Sequence, residues 1–300
     1  MDTWILITIG AALAQTLRFV LQKQLKIAGL STGGATFARF IYSAPLVVVL
    51  ILLYAVASDQ PIPAMPGRFW AFALTGGLAQ ILATMCVVAL FSHRNFAVGI
   101  TFKKTEVVMT AVAGFLILNE GVGLAGAVAI GIGLAGVLVL SDPPGGSGAF
   151  LSRIVNRAAG LGLASGALFA VSAVSYRGAS LALSNGDTAL RAGVTLAIVT
   201  ASQSLAMALW LGWRDRAQIA AVLRAWRVAG LVGVTSMIGS FLWFSAFTLQ
   251  NAAYVKALGQ IELIFALAAS ALFFRERITA RELGGIVLLS VGILVLVLFL

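Results

Sequence analysis

Long apolar runs alternate with short polar links along this chain. A helix needs about 20 apolar residues to cross a bilayer, and runs without a polar face suit lipid better than a soluble core. We number the membrane spans that this pattern predicts from 1 to 10, at residues 4–25, 33–56, 68–92, 96–118, 121–140, 157–183, 188–211, 226–250, 253–274 and 279–299.

The second half of the chain repeats the first with a shift of 156 residues. Residue types that are scarce here coincide under that shift: Glu106 with Glu262, Glu120 with Glu276, Arg68 with Arg224, and Trp70 with Trp226. Matches among alanine or leucine would carry little weight in a chain that is 61% hydrophobic. These matches indicate an internal duplication, which is typical of transporters.

The duplication also predicts the domain organisation. We expect a first five-helix repeat at residues 1–140, a linker rich in proline, glycine and serine at 141–156, and a second five-helix repeat at 157–300. Because five is an odd number, the second repeat enters the membrane in the opposite direction. The predicted fold class is therefore an all-α integral membrane protein, whose ten transmembrane helices form two inverted repeats around a central cavity.

Composition and charge support a membrane location. Charged residues make up 10% of the chain, whereas soluble domains contain about 25%. The net charge of +10 comes from cations clustered in the links, which indicates contact with anionic lipid and not with nucleic acid. We therefore expect a multi-pass protein of a bacterial-type inner membrane. The positive-inside rule places the loops after spans 1, 3, 5, 7 and 9 in the cytoplasm. Span 1 is expected to be retained, because no signal-peptide pattern precedes or follows it.

Enzymatic chemistry finds little support in the sequence. Cys86 is the only cysteine and His93 the only histidine, so no His/Cys metal site can form. Residues 131–136 spell G-x-G-x-x-G, but they lie inside an apolar helix and not between a strand and a helix, so we interpret them as packing glycines. We predict no catalytic residues, no cofactor and no metal.

Two acids near the middle of spans are the main functional candidates. Glu106 and Glu262 could bind a substrate ammonium or a coupling proton, or they could form structural ion pairs; both interpretations stay open. Lys103 lies three residues before Glu106 on the same helical face, and we prefer it to Lys104 as the cavity cation. Lys256 lies six residues before Glu262, which turns it about 120° away from that acid.

Other polar residues inside or near the spans have less specific interpretations. A shared cavity or interhelical hydrogen bonds would explain the uncharged set Gln15, Gln80, Thr84, Gln203, Ser236, Ser240 and Trp243. Glu120 and Glu276 precede spans 5 and 10, where acids complement a helix N-terminus. Interfacial anchoring is the predicted role of Arg18, Arg39, Arg177 and Arg191. Pro45 is the only one of six prolines inside a span, so proline-broken helices are not expected.

Two sequence blocks resemble a known family. The block Phe115–Glu120, followed by a glycine-rich span ending in Gly136-Val-Leu-Val-Leu, resembles the EamA-type drug/metabolite transporter superfamily, and the block that begins at Phe273 is similar to it. The resemblance implies ten helices, inverted repeats and a central substrate cavity. Gly259-Gln260-Ile261-Glu262, with the paired glutamates, is similar to the YddG-like branch of aromatic amino acid exporters.

These observations predict an inner-membrane exporter of small organic metabolites, amino acids including aromatic ones, that works by alternating access. The substrate-binding or coupling candidates are Gln15, Gln80, Thr84, Lys103, Glu106, Trp243, Lys256 and Glu262. A multidrug exporter of lipophilic cations is the alternative. The expected partners are a small-molecule substrate and membrane lipids, without nucleic acid, and the oligomeric state stays open, with a monomer as one option.

Overall fold

The structure is a computed structural model that describes residues 2–90, 102–141, 157–265, 268 and 280–299. The regular elements in these ranges are helical. Their bounds are α1 Thr3–Ile27, α2 Thr32–Ile41, α3 Ser43–Ala57, α4 Gly67–Leu90, α5 Glu106–Leu118, α6 Leu124–Ser141, α7 Arg157–Ala182, α8 Thr188–Arg214, α9 Arg216–Arg224, α10 Trp226–Leu249, α11 Ala252–Leu258 and α12 Ala280–Phe299.

Several of these helices are long and apolar enough to cross a bilayer. Among the described residues, six stretches qualify, namely α1, α2 with α3, α4, α7, α8 and α10. α5, α6 and most of α12 are apolar as well, but shorter. Large apolar side chains such as Leu53 and Leu116 are more than half exposed on the outer surface, as lipid contact requires. The protein is therefore a multi-pass membrane protein, and ten spans stay a prediction.

Equivalent helices in the two halves begin at equivalent residues. α2 begins at Thr32 and α8 at Thr188, which are 156 positions apart. Each helix has a capping side chain just before it: Ser31 accepts a hydrogen bond of 3.0 Å from a first-turn backbone N–H, and Asp187 accepts one of 2.8 Å. The two-repeat layout thus extends to the local signals that begin these helices.

The helices of the two halves also pack reciprocally. α4 packs along α7 and α1 along α10, and the shift of 156 exchanges one pair with the other. Where α6 crosses α12, a Cβ on Gly136 would lie 2.6 Å from the backbone N of Leu289, and one on Gly292 would lie 2.7 Å from the backbone N of Gly133. The shift carries the first contact onto the second. Reciprocity of this kind is what a two-fold relation between the repeats produces.

Span 2 is not one continuous helix, contrary to the expectation from its proline content. α2 ends at Ile41 and α3 begins at Ser43, with Tyr42 in a turn between them. Pro45 explains the interruption, because it has no N–H to donate to the carbonyl of Ile41 and its ring crowds that carbonyl.

Spans 4 and 9 are interrupted without proline, at equivalent positions. In span 4 a turn at Lys104 and Thr105 precedes α5. In span 9 the α-helix ends at Leu258 and a 3₁₀ turn covers Gly259–Ile261. The shift places Lys104 and Thr105 on residues 260 and 261, so the break itself is repeated. Ser141, the first residue of the predicted linker, ends α6, and the rest of the linker at 142–156 and the end of span 9 lie outside the described residues.

Candidate functional site

The two broken helices place the paired acids in the interior. Glu106 is the first residue of α5, and Glu262 directly follows the 3₁₀ turn, so neither lies within an uninterrupted helix as the sequence predicted. Gly166 of α7 lies against the first break, where an added Cβ would stand 3.0 Å from the carbonyl oxygen of Lys103. The absence of a side chain at Gly166 lets the irregular backbone approach α7, which is how non-helical backbone is tolerated at membrane depth.

Three lysines neutralise these two acids. Nζ of Lys103 lies 3.3 Å from Oε2 of Glu106, and Nζ of Lys256 lies 3.1 Å from Oε1 of the same residue. Lys104 pairs with Oε1 of Glu262, while Nε2 of Gln15 donates a 2.6 Å hydrogen bond to Oε2. We call these six side chains the lysine–glutamate cluster. It joins the two repeats, because Lys104 and Lys256 each bind the acid of the other repeat.

The turn in span 4 changes the expected role of Lys104. On a continuous helix Lys103 and Lys104 would point about 100° apart, and the sequence therefore favoured Lys103 alone. Both residues are only 3% exposed, because the helix stops between them and their side chains enter the same cluster. Lys256 binds Glu106 and not Glu262; the predicted angle of about 120° assumed a continuous helix, and the helix ends at Leu258, between the two residues.

Arg39 lies inside the protein, and its predicted role as an interfacial anchor is wrong. It is 4% exposed, and Arg18, for which the same role was predicted, is 3% exposed. The guanidinium of Arg39 donates hydrogen bonds to three hydroxyls, those of Ser236 (2.9 Å), Thr84 (3.0 Å) and Ser240 (3.4 Å). The candidates Thr84, Ser236 and Ser240 therefore share one role, which is to hold this arginine.

Gln80 belongs to a second polar network. Its Oε1 accepts hydrogen bonds of 2.9 Å from the hydroxyl of Tyr176 and from Nε2 of Gln203. Gln203 also donates to the carbonyl oxygen of Gly77, so the network ties α4, α7 and α8 together. Sequence reasoning missed Tyr176, although a tyrosine inside an apolar span is itself an indication of an internal polar contact.

One cavity collects side chains from all these groups. Its volume is about 30 Å³, and its lining includes Gln15, Arg39, Gln80, Phe169, Tyr176, Ser240, Trp243, Phe244, Phe247 and Lys256. We call it the central cavity. Tyr176 stacks on Phe244 with ring centroids 4.1 Å apart, and Nζ of Lys256 lies 4.9 Å from the ring centroid of Trp243. Phe169, Tyr176, Trp243, Phe244 and Phe247 supply the aromatic part of the lining, which we call the aromatic wall, and the ammonium of Lys256 lies over three of these rings.

Buried charge around the central cavity is unbalanced. The cations Arg18, Arg39, Lys103, Lys104 and Lys256 are all at most 9% exposed. Within the described residues, the carboxylates that pair with this set belong to Glu106 and Glu262. Among the described residues, this buried set therefore contains three more cations than carboxylates, a balance that favours an anionic group in the cavity.

The acid before α6 has a cross-repeat partner that its sequence position did not indicate. Glu120 precedes α6 by four residues, and its carboxylate accepts two hydrogen bonds, of 2.7 and 2.9 Å, from Nε of Arg177. Arg177 also donates to the carbonyl oxygens of Phe247 and Gln250 at the end of α10. Arg177 is therefore a link between the repeats and not an interfacial anchor. Glu276 lies outside the described residues.

Comparisons with known proteins agree with this arrangement. The model of the EamA-like transporter family matches residues 2–142 and again residues 157–298. A crystal structure described only as that of a protein shows the same fold, with a TM-score of 0.66 at 14% sequence identity over 97% of this chain and 99% of that one. No curated protein sequence matches the chain.

The family match covers nearly the whole chain as two repeats. Members of this family are transporters of the drug/metabolite type, which move small molecules, and the family is not one of enzymes. This chain belongs to the EamA-like transporter family, as a multi-pass membrane transporter of small molecules.

Proposed function

We propose that the protein exports small organic metabolites, specifically amino acids including aromatic ones, by alternating access across a bacterial-type inner membrane, as in the YddG-like branch. The observation that carries this proposal is the central cavity, which is lined both by the buried cations Arg39 and Lys256 and by the aromatic wall. Small-molecule sites are typically apolar with a few placed polar groups. An aromatic amino acid would place its ring on the aromatic wall and its carboxylate near the cations.

The charge balance argues against the alternative, a multidrug exporter of lipophilic cations. Such a substrate would approach a buried set that, in the described part of the chain, has three more cations than carboxylates, and both of those carboxylates are paired with lysines. Like charges in a low-dielectric interior repel strongly. A zwitterion, in contrast, brings its own negative charge to the cations, and its ammonium can lie over aromatic ring faces.

The repeated helix breaks support alternating access. Interrupted helices near the substrate are a recurrent feature of transporters built from inverted repeats. The pairs Lys104–Glu262 and Lys256–Glu106 hold one repeat to the other, and rocking of the repeats would exchange or loosen these pairs. Inversion of the second repeat, with the loops after spans 1, 3, 5, 7 and 9 in the cytoplasm, is part of this proposal.

Transport by purified protein in proteoliposomes tests the proposal. We expect saturable uptake of labelled tryptophan or phenylalanine, acceleration by unlabelled amino acid on the other side, and competition by amino acids but not by a lipophilic cation such as tetraphenylphosphonium. Repeating the assay with and without a pH gradient separates proton coupling from facilitated diffusion. Competition by the lipophilic cation alone would favour the alternative, and unsaturable flux would indicate a channel.

A pair of tryptophan variants tests the aromatic wall. Trp243 lines the central cavity and is 8% exposed, whereas Trp213 is 83% exposed on the outer surface. We expect Trp243→Leu to lower tryptophan transport about tenfold, because a stacked aromatic contact is worth about 0.5–1.5 kcal/mol beyond its buried area. Trp213→Leu is the matched control and should transport normally. Equal activity of the two variants would show that the aromatic wall does not contact the substrate.

A further inference from the structure

Arg39 differs from the lysines beside it in having no carboxylate partner. Each lysine of the lysine–glutamate cluster binds Glu106 or Glu262. In the described part of the chain the acceptors of Arg39 are the neutral hydroxyls of Thr84, Ser236 and Ser240. A buried guanidinium without a counter-ion is costly in a membrane protein, and such residues typically mark a functional pathway.

The position of Arg39 separates it from the other buried arginine. Arg18 also lacks a carboxylate partner among the described residues, but it does not line the central cavity; its guanidinium donates to Gln22 of its own helix. Arg39 does line the cavity, together with Ser240 and the aromatic wall. Three hydroxyls from α4 and α10 hold the guanidinium in place and leave two of its five N–H groups for another acceptor.

A second unused donor lies in the same cavity. Trp243 is 8% exposed, and within the described residues its indole N–H has no hydrogen-bond acceptor. It lies three residues after Ser240 on α10, so it shares a helical face with a hydroxyl that binds Arg39. A buried indole N–H normally has a partner. Arg39 and Trp243 thus both line the cavity and both have N–H donors without an acceptor among the described residues.

We propose that Arg39 receives the anionic group of the transported molecule, with the indole N–H of Trp243 as a second donor. A guanidinium binds a carboxylate or another oxyanion through two parallel hydrogen bonds, which fixes both its position and its orientation. The lysines are paired with Glu106 and Glu262 and hold the broken helices together. Arg39 is therefore the cation that binds the substrate's anionic group. This inference rests on the proposed transport function and adds a requirement, namely that a substrate carries an oxyanion.

Three compounds that share the indole ring and differ in their charged groups test this requirement. Tryptophan has a carboxylate and an ammonium, indole-3-propionate has only the carboxylate, and tryptamine has only the ammonium. Competition against labelled tryptophan on the purified full-length protein should rank the two acids well above tryptamine. In Arg39→Gln we expect the affinity for both acids to fall roughly 30-fold, since truncating one partner of a buried charged pair costs at least that much. The weak binding of tryptamine should not fall with it.

The stability of Arg39→Gln distinguishes substrate binding from a structural role. Removing a buried charge that lacks a counter-ion should leave the unfolding temperature unchanged or raise it. A lower unfolding temperature, together with an equal loss of affinity for all three compounds, would show that Arg39 has a structural role and would overturn the assignment. If Arg39→Gln does not fold, Arg39→Lys keeps the charge but loses the planar fork, and its affinity for both acids should fall about tenfold.

Arg191 provides a matched control. It is also an arginine within a span, but it donates to the carbonyl oxygen of Ser180 and does not line the central cavity. Arg191→Gln should keep the ranking of the three compounds. A change in Arg191→Gln equal to that in Arg39→Gln would show a nonspecific effect of lost charge and contradict the proposal.

A panel of other oxyanions separates this inference from the amino acid proposal. Phenyl phosphate, benzenesulfonate and benzoate each present an oxyanion on an aromatic ring without an amino acid. If these compounds stabilise the wild type against heat but not Arg39→Gln, while amino acids have no effect, the amino acid proposal fails and the role of Arg39 stands. If amino acids are transported and Arg39→Gln transports them equally well, the role of Arg39 is wrong. If stabilisation by these oxyanions does not depend on Arg39, the proposed role of Arg39 is wrong as well.

Discussion

Glu106 and Glu262 occupy the same position of the two repeats, yet their surroundings differ. Glu106 binds two lysines, one from each repeat, and its side chain is 5% exposed. Glu262 binds one lysine and the amide of Gln15, and its side chain is 12% exposed. The duplication has kept the acid and the helix break before it, and it has not kept the partners.

The asymmetry lies in the sequence positions that supply the lysines. The shift of 156 places Lys104 on Gln260 and Lys256 on Ile100, so neither lysine has a counterpart in the other repeat. Backbone geometry follows the duplicated pattern, because helix starts, breaks and glycine contacts depend on short sequence signals. The cations around the cavity do not follow the duplicated pattern, since their sequence positions are not repeated. A symmetric scaffold thus contains an asymmetric and net positive site.

The largest expected effect comes from removing the more deeply paired acid. Glu106→Gln leaves Lys103 and Lys256 buried without a carboxylate, so we expect the free energy of unfolding to fall by about 3–5 kcal/mol. Denaturation followed by tryptophan fluorescence in detergent measures this change. Adding Lys256→Met to the same variant should recover part of the loss. Unchanged stability of Glu106→Gln would show that the ion pairs contribute nothing.

Glu262→Gln should have a smaller effect and thus sharpen the comparison. Only Lys104 loses its carboxylate, and the residue is more exposed than Glu106. We expect a loss of about 1–3 kcal/mol in the same assay. Lys104→Met in the Glu262→Gln background is the paired control and should restore stability. A cost above that of Glu106→Gln would reverse the proposed ranking of the two acids.

Alanine at the paired glycines tests the symmetry of the backbone. Gly136→Ala and Gly292→Ala each place a methyl group within 3 Å of backbone on the facing helix, so both should lower stability, by a similar amount of about 1–2 kcal/mol. Gly131 lies on α6 with nothing near its Cβ position, and Gly131→Ala should be neutral or stabilising. Melting temperatures of the three variants make the comparison. Clearly unequal losses for Gly136 and Gly292 would contradict the reciprocal contact.

The helix caps provide the smallest test and the one that depends on pH. Hydrogen bonds from Gln60 and Tyr54 lower the pKa of Asp187 from its ordinary value of 3.8. A lowered pKa stabilises the folded state above the ordinary value, and this contribution is lost as the pH falls through the lowered pKa. We expect Asp187→Ala to cost about 1 kcal/mol at neutral pH and less in acid.

The equivalent cap in the first repeat is uncharged and serves as the control. Ser31→Ala should have a cost similar to that of Asp187→Ala at neutral pH, without the pH dependence. Stability measured between pH 3 and pH 7 distinguishes the two. A pH dependence of the same size in both variants would show that the charge of Asp187 has no separate role.

Part of the candidate site followed from local sequence. The i,i+3 spacing predicted the pair Lys103–Glu106. Lys256 was expected to be a poor partner for Glu262 on a continuous helix; it does bind Glu106 instead, but the helix breaks between the two positions. Lys104 and Arg39 were misjudged for one reason. Both predictions took the position along the chain as a guide to where a side chain lies and points. For Lys104 this fails because the helix breaks beside it. For Arg39 it fails because a buried arginine and an interfacial one have the same local sequence pattern.

The sequence alone determined the membrane class, the six long spans now seen, the repeat of 156 residues and the family. These properties follow from local quantities, since bilayer thickness sets the length of an apolar run and duplication leaves the same scarce residues at a constant spacing. Tertiary structure decided which cations meet which acids and that Arg39 lines the cavity. Those contacts depend on where helix breaks turn the chain and on which helices lie side by side, and neither is encoded in any one segment.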